Sequence, residues 1–484
     1  MAGRADTYLQ LHARVDARTA PVEALDIDMV AVEASLGLHD RQPELSSLTV
    51  CRRQAARPGL ASRAAAVAGP LAIAFPGPAL LALSAALFAA FSLVIAWRAL
   101  LVLVACLPSR PRKPRGDAAV APVYSILVPL YKEAAAVPGL AEAMLNLEWP
   151  QDRMDLILLL EADDTETQAA VAGARWPQAT RIFILPDGRP RTKPRALNYG
   201  LQFARGSLLT IYDAEDRPAP GQLTAAAAAF RTGDPALACV QAPLVAYNHR
   251  EGWLAGQWAL EYRVQFGLLM PALARMGLPL LLGGTSNHFR TDVLRSLNGW
   301  DAWNVTEDAD LGVRLARHGY RAGMIAPPTL EEAPEKLGIW TAQRSRWLKG
   351  FLQSWVVMMR RPERAVRQIG LAGAVSLQLG LAGTLLAALA HLPVLIACLC
   401  LAFLAGWQSL GVPGFALLVA GLGVNAAAAL LAPGPRDRSR LMLTLTQPLY
   451  WPLQTLAAIR AVYSMARAPH FWAKTPHGLT ASPV

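Results

Sequence analysis

Two long apolar segments constrain the fold of this 484-residue chain more than any other feature. Residues 64–107 and residues 369–432 are rich in Ala and Leu and are nearly free of charge. A helix needs about 20 apolar residues to cross a bilayer, so both segments predict membrane-spanning helices. Pro76 and Pro78 predict a hairpin turn between two helices of the first segment.

The composition also indicates a membrane protein. The chain is 54% hydrophobic and 17% charged, whereas soluble proteins carry about 25% charged residues. The formal net charge is +11, and the Arg residues cluster beside the apolar segments, as loops flanking membrane spans do. We expect a multi-pass protein of a bacterial inner membrane, with the lipid bilayer as a partner and no nucleic acid bound. The five Cys form no CxxC pair and are interpreted as small buried side chains.

The sequence divides into six regions, between which composition and periodicity change. They are a polar leader with no assignable function (1–62), two predicted N-terminal transmembrane helices (63–108), a soluble α/β domain (117–335), amphipathic helices at the membrane interface (336–366), C-terminal transmembrane helices (369–432), and an interfacial helix with a cytoplasmic tail (433–484). Turns near Pro393 and Pro413 would divide the fifth region into two or three spans.

The soluble region contains short apolar runs separated by helical patterns. The runs are residues 124–130, 155–160, 181–185, 208–212 and 238–240. Alternating strands and helices predict a mainly parallel sheet covered on both faces. Ligands bind such sheets beyond the carboxyl ends of the strands, which is where acidic residues follow three of these runs.

The first two acidic groups allow two interpretations each. Glu133 follows the first run and could accept hydrogen bonds from a ribose or base, or could be a solvated turn residue. Asp163 and Asp164 follow the second run. Adjacent carboxylates need a cation or NH-rich partner if they are buried, but acids are also favourable in the first turn of a helix.

Two later acidic groups suggest metal binding and proton transfer. Asp213 and Glu215 follow the run at 208–212, and hard oxygen ligands at alternate positions suit a divalent cation that also takes diphosphate oxygens. Glu307 and Asp308 precede a helical stretch, and a carboxylate there could take a proton from an acceptor hydroxyl. Thr306 is equally a candidate helix N-cap.

The last motif lies on the amphipathic region, in Gln343-Arg-Ser-Arg-Trp347. Arg346 could hold a diphosphate with its forked donors, and Trp347 could stack on a sugar ring. The alternative is that both residues anchor a helix to lipid headgroups, and the two roles are compatible.

The order of these motifs between apolar segments resembles that of the processive members of glycosyltransferase family 2. These include cellulose, curdlan, hyaluronan and chitin synthases and related bacterial exopolysaccharide synthases, and the resemblance covers residues 66–480. It implies a cytoplasmic GT-A domain, Rossmann-like with a mainly parallel sheet, inserted between transmembrane and interfacial helices. It also implies an inverting hexosyltransferase that polymerises sugar from a UDP-sugar, UDP-glucose being expected, into a β-linked exopolysaccharide.

The resemblance further implies a role for each matching residue. Asp308 would be the catalytic base, and Asp213 and Glu215 would hold Mg²⁺ or Mn²⁺. The donor-binding residues would be Glu133, Asp163, Asp164, Lys193, Gln343 and Arg346. The residues at the acceptor would be Gly284, Thr285, Ser286, Glu307 and Trp347. The implied partners are the UDP-sugar, the growing polysaccharide and accessory export subunits.

Two departures from the family pattern leave alternatives open. The metal motif is Asp-Ala-Glu instead of Asp-x-Asp, and only Phe471–Gly478 is similar to a gating loop. Ceramide glucosyltransferases share the Asp and Gln-x-x-Arg-Trp motifs, so single addition to a lipid acceptor is the main alternative. A transporter is disfavoured because its spans would carry charge, and a catalytically inactive scaffold because all four acidic groups are present.

Overall fold

The computed structural model describes residues 27–50, 76–108, 121–232 and 234–472. The strands are β1 (Tyr124–Leu130), β2 (Met154–Glu161), β3 (Arg181–Leu185), β4 (Leu208–Ile211), β5 (Arg217–Pro218), β6 (Leu237–Gln241), β7 (Leu244–Ala246), β8 (Asn287–Arg290), β9 (Arg321–Met324) and β10 (Thr329–Glu331). Each of the five predicted apolar runs forms or lies largely within a strand, which confirms the predicted α/β domain.

The strands form two sheets in a GT-A-like arrangement. The larger sheet has the order β3-β2-β1-β4-β8-β6-β9, and the smaller has the order β5-β10-β7. Within the larger sheet only β8 runs antiparallel to its neighbours, β4 and β6. The sheet is therefore mainly parallel, as predicted.

Within the described residues, ten α-helices accompany the strands up to the end of the α/β domain. They are α1 (Ile27–Arg41), α2 (Pro76–Cys106), α3 (Val137–Leu145), α4 (Thr165–Gly173), α5 (Lys193–Phe203), α6 (Gln222–Thr232), α7 (Trp253–Val264), α8 (Met270–Arg275), α9 (Thr291–Ser296) and α10 (Glu307–Arg317). Five more helices follow: α11 (Leu337–Met358), α12 (Pro362–Leu377), α13 (Thr384–Ala405), α14 (Gly411–Leu431) and α15 (Arg438–Arg467).

The order of the central strands positions the site. The chain passes from β1 through β2 to β3 on one side, and then returns to place β4 on the other side of β1. Parallel sheets bind ligands at such a switch point, beyond the carboxyl ends of the two strands. β2 is buried at all eight positions, and each buried Leu or Ile contributes about 1.5–3 kcal/mol, so this edge of the sheet is a firm support.

Three helices of the described residues are long and apolar enough to cross a membrane. They are Gly77–Cys106, Pro362–Ala405 and Gly411–Leu431. Pro76 and Pro78 lie in the first turn of α2, where proline is tolerated because its missing N–H is not needed. The predicted helix before them, like the predicted loop beyond Trp472, lies outside the described residues.

The predicted turn at Pro393 is wrong, because Pro393 lies inside α13. Thr455 of α15 supports the backbone there: its hydroxyl donates to the Ala388 carbonyl at 2.7 Å and accepts from the Leu392 N–H at 3.2 Å. A neighbouring helix can in this way satisfy the backbone groups that an intramembrane proline disturbs. The predicted turn near Pro413 is displaced slightly, since α14 begins at Gly411 after a short 3-10 turn.

Candidate active site

A cavity of about 1180 Å³ runs from the carboxyl edge of the sheet to the apolar helices. Its polar half is lined by Lys193, Asp213, Glu215, Glu307 and Asp308, together with Arg346 and Trp347. Its apolar half lies between α2, α13 and α14. Side chains from the soluble domain and from the predicted spans thus face one continuous space.

The turn after β4 brings a carboxylate to a buried lysine. Lys193, at the start of α5, forms an ion pair with Asp213 and donates to the Gly284 carbonyl at 2.7 Å. Burial alone would lower the pKa of Lys193, but the charges of Asp213 and Glu307 raise it above its ordinary value. The lysine therefore stays charged and places a fixed cation at the floor of the cavity, next to a helix N-terminus that also favours anions.

Two further acids, Asp216 and Glu331, lie beside this turn. Asp216 is 1% exposed and accepts from the Asp213 N–H at 2.7 Å and from the Thr285 hydroxyl. Burial, together with the charges of Asp213 and Glu215, raises the pKa of Asp216 well above its usual range. Glu331 lines the cavity from the end of β10, and burial and the neighbouring acids likewise raise its pKa. The Asp216 Oδ1 and Glu331 Oε1 atoms are buried and have no hydrogen-bond partner within the described residues.

The carboxylate oxygens at this site decide whether a divalent cation could bind there. No group of three or more His, Cys, Asp or Glu side chains among the described residues is arranged to hold a metal ion by itself. Asp213 and Glu215 nevertheless offer hard oxygen ligands at the cavity wall, and the Glu331 Oε1, unpartnered within the described residues, lies near them as a further oxygen. The residues fit a cation whose remaining ligands come from a bound diphosphate.

The candidate base lies at the N-terminus of α10. Thr306 is the N-cap residue, but its side chain makes no capping hydrogen bond. Burial raises the pKa of Asp308, while Lys193 and Arg346 oppose that rise. Burial and the charge of Asp308 raise the pKa of Glu307 to about 7. A carboxylate with a raised pKa is a stronger proton acceptor than an exposed one.

Gly350 of α11 allows the close approach of this turn. A Cβ atom at Gly350 would overlap the Thr306 side chain. The absence of a side chain on α11 thus sets how near the Asp308 turn lies to the Gln343–Trp347 motif.

The motif on α11 faces both the cavity and an aromatic layer. The Gln343 Oε1 accepts from the Trp258 indole N–H at 3.3 Å. The Trp347 ring centroid is 5.9 Å from that of Tyr262. The Arg346 Nη1 donates to the Val305 carbonyl at 3.4 Å, and its Nε is buried without a hydrogen-bond partner within the described residues. Arg346 is consequently held beside the Asp308 turn with donor capacity to spare.

The structure places the Asp163-Asp164 pair at the edge of this arrangement. Asp164 is the N-cap of α4, and its carboxylate accepts from the Lys132 N–H and from the Thr167 N–H, at 3.2 Å for the latter. Asp163 forms an ion pair with Arg191 at 2.7 Å. The cavity wall in this region is formed by Glu133, Glu161 and Arg191.

The predicted acceptor segment is only partly turned to the cavity. Gly284 and Thr285 line it. The Ser286 hydroxyl instead pairs with the Thr329 hydroxyl at 2.6 Å, and Ser286 adopts a left-handed backbone with φ of 56°. Ser286 therefore shapes the turn behind the site.

Sequence reasoning missed an ionic network that fixes α11. Arg344 donates to both carboxylate oxygens of Glu261, at 2.8 and 2.6 Å, and Tyr450 donates to Glu261 at 2.9 Å. The Trp340 indole N–H donates to the Tyr450 oxygen at 2.9 Å. The alternation of Arg and Trp in α11 indicated an interfacial helix, whereas Trp340, Gln343 and Arg344 are buried.

The predicted leader also contributes to the site's support. The Ser47 N–H donates to Asp301 at 2.5 Å, and the Trp303 indole N–H donates to the Ser35 carbonyl at 2.9 Å. Asn304 donates to the hydroxyls of Ser47 and Ser354, at 3.1 and 3.0 Å. Residues 27–49 therefore brace the loop that leads into Thr306 and Asp308.

Parts of the chain are similar in sequence to known protein families. Residues 125–284 match the family described as Glycosyl transferase family 2, and residues 208–426 match Glycosyl transferase family group 2. The chain is 25% identical over 249 residues to a beta-monoglucosyldiacylglycerol synthase of Nostoc sp., covering 49% of this chain and 52% of that protein. It is 26% identical over 238 residues to Cellulose synthase 2 of Novacetimonas hansenii, covering 48% of this chain and 14% of that protein.

A solved structure supports the fold. A mannosyltransferase from Pyrobaculum calidifontis, in complex with GDP-Man and Mn²⁺, superposes with a TM-score of 0.53 at 24% identity, covering 79% of this chain and 98% of that one. The chain thus has a GT-A-like fold, and its residues 125–284 and 208–426 are similar to glycosyltransferase family 2 domains. The chain spans about half the length of the first curated relatives that it matches, between 50% and 55%.

Proposed function

We propose that this protein is a membrane-embedded inverting glycosyltransferase that moves a hexose from a nucleotide sugar to the hydroxyl of a lipid acceptor. The observation that carries the proposal is the continuity of the cavity. Asp213 and Asp308 line the same space as apolar residues of α2, α13 and α14.

The transfer step uses residues of the polar half. Asp308 takes the proton from the acceptor hydroxyl, whose oxygen forms a bond to the anomeric carbon of the sugar. The bond from that carbon to the diphosphate breaks on the opposite face, so the configuration inverts. Lys193 and Arg346 hold the departing nucleoside diphosphate, whose negative charge increases as it leaves.

Asp213 and Glu215 would hold the divalent cation, Mg²⁺ or Mn²⁺, which when bound neutralises diphosphate charge. Glu133, Glu161 and Arg191 are the candidates for the nucleoside end, since they line the wall beyond β1 and β2. UDP-glucose is the donor that we expect from the sequence resemblance.

The walls of the apolar half favour a lipid over the polysaccharide that the resemblance implies. Among those wall residues are Phe88, Phe91, Leu395, Leu417 and Leu418. A sugar polymer would lose the hydration of its hydroxyls there without gaining hydrogen bonds, and each loss is costly. Acyl or prenyl chains meet no such penalty.

Side chains that line the same half are accessible. Phe88, Leu399 and Leu418 line the cavity and are 41%, 51% and 43% exposed. We expect a lipid to enter this half from the membrane, between the helices that line it.

The test of the reaction is release of nucleoside diphosphate by purified protein with UDP-glucose, Mn²⁺ and a bacterial lipid extract. Removing a general base costs about 10²–10⁴-fold, so Asp308→Asn should lower kcat about 10³-fold and leave the donor KM nearly unchanged. The control is Glu166→Gln, an exposed acid on α4. Equal turnover by Asp308→Asn and the unmodified protein would overturn the assignment.

A further inference from the structure

Arg98 is a cation that no carboxylate of the described residues pairs with closely, since Glu261, whose charge acts on it, is paired with Arg344. It is the only charged residue of α2, and it lines the cavity with Trp97 and Leu101. Its Nε is buried and has no hydrogen-bond partner within the described residues. An ionisable group inside a membrane span is costly and is usually retained for binding.

Glu261, the carboxylate whose charge acts on Arg98, is already paired with another cation. Both of its oxygens are held by Arg344, at 2.8 and 2.6 Å, and one also accepts from Tyr450. The charge of Glu261 is largely neutralised by this closer pairing, so Arg98 remains available to a ligand.

The position of Arg98 defines what such a ligand must look like. One turn further along α2, Leu101 and Val102 pack against Val264 and Leu268 of the soluble domain. Arg98 therefore lies where the polar and apolar halves of the cavity meet. A ligand bound there would present an anion to Arg98, extend apolar chains between α2, α13 and α14, and direct its remaining polar part toward Asp308.

We propose that Arg98 binds the phosphate of an anionic lipid whose chains occupy the apolar half of the cavity. The proposal rests on the proposed function and deepens it, since the phosphate-bearing lipid would be the acceptor. The guanidinium forms forked hydrogen bonds to phosphate oxygens, and these bonds are strong where water is largely excluded.

A binding experiment that needs no turnover tests this proposal. The full chain in neutral detergent is titrated with phosphatidylglycerol, with diacylglycerol of the same acyl chains, or with inorganic phosphate, and the shift in Tm is measured. A ligand that binds only the folded protein raises Tm. We expect a clear shift with phosphatidylglycerol and a small one with the other two probes.

The variants separate charge from stability. Arg98→Gln should remove the difference between phosphatidylglycerol and diacylglycerol, and weaken phosphatidylglycerol binding about tenfold or more, as loss of a charge-assisted pair does. Arg98→Lys should retain part of the difference. Arg460→Gln, at an exposed arginine of α15, should retain all of it. Arg98→Gln should still fold, because it removes a charge from an apolar span.

Two results would overturn the proposal: undiminished phosphatidylglycerol binding by Arg98→Gln, or an equal shift with inorganic phosphate, which would indicate a phosphate site without a lipid tail. Either is distinguishable from failure of the proposed function. If no nucleotide sugar is turned over but the Arg98 effect persists, the lipid site stands and the reaction fails. If turnover persists and the Arg98 effect is absent, the reverse holds.

Discussion

The two halves of the cavity are lined by different kinds of structural element. In the polar half, the side chains project from the ends of buried strands and from helix N-termini, and Asp213, Lys193 and Asp308 are held by contacts with one another and with the backbone. In the apolar half, the lining comes from helices whose other faces are exposed, such as Phe403 of α13 and Val419 of α14 at 89% and 52%. The contrast indicates that chemistry needs fixed geometry, whereas a lipid chain needs only an apolar surface.

The same contrast predicts different responses to substitution. Changes that move atoms in the polar half should lower kcat, because transfer depends on distances near an ångström. Changes in the apolar half should alter the acceptor KM and leave reaction with bound substrate intact.

Outside the reacting groups themselves, the largest effect in the polar half should come from Gly350→Ala. The added Cβ would overlap Thr306 and push the Asp308 turn away from α11. A displacement of about 1 Å can cost about 10²-fold, so we expect kcat to fall by about that factor with the donor KM little changed. The matched control is Gly338→Ala on the same helix, where a Cβ meets nothing within 4 Å. Equal kcat in the two variants would contradict the role given to this contact.

A smaller effect should come from filling the apolar half. Gly421 of α14 lines the cavity, and a Cβ there would lie 3.2 Å from Ile95 Cδ1 of α2. Gly421→Leu should raise the KM for a lipid acceptor about tenfold, or about 1.4 kcal/mol, with kcat preserved. Gly423→Leu is the control, since nothing lies within 4 Å of its Cβ position. If both variants have the unmodified KM, the lipid does not lie between these helices.

The smallest effect concerns pH. Asp308 must be ionised to act, and burial raises its pKa, so activity should fall as the pH drops through that raised value. The charge of Arg346 lowers the pKa of Asp308. Arg346→Gln should therefore raise it further and move the acid limb of kcat/KM upward, by up to about one unit. The pH profiles of the two proteins, each normalised to its maximum, give the shift, and a downward shift would exclude Asp308 as the titrating group.

The sequence was sufficient to predict the strands that support the polar half. The runs at 124–130 and 181–185 match β1 and β3 residue for residue, because continuous apolar stretches bounded by polar turns suit strands buried on both faces. Asp213, Glu215, Lys193 and Asp308 could be predicted to meet because they follow strands or begin helices at one edge of the sheet.

The sequence was not sufficient where contacts between distant parts of the chain determine the local structure. The backbone N–H groups that donate to the Asp164 carboxylate as a helix cap could not be assigned from the sequence, and its role at the donor stays a prediction. Pro393 was predicted in a turn, but contacts with Thr455 permit a helix. Glu331 lies over 110 positions from Asp213 in sequence order, and only the pairing of β10 with β5 and β7 brings it to the same wall. The acidic pair Glu331-Glu332 at a strand end was the signal that could have identified it.

The nature of the product tests the proposed lipid acceptor most directly. The protein is reconstituted in vesicles of bacterial phospholipid and supplied with radiolabelled UDP-glucose and Mn²⁺, and the label is partitioned between an organic phase and an ethanol-insoluble polymer. If the acceptor is a lipid, we expect label in the organic phase as a lipid with one sugar, and no such label with Asp308→Asn. Label in a long polymer, with none in the organic phase, would contradict the lipid acceptor and favour a polysaccharide synthase.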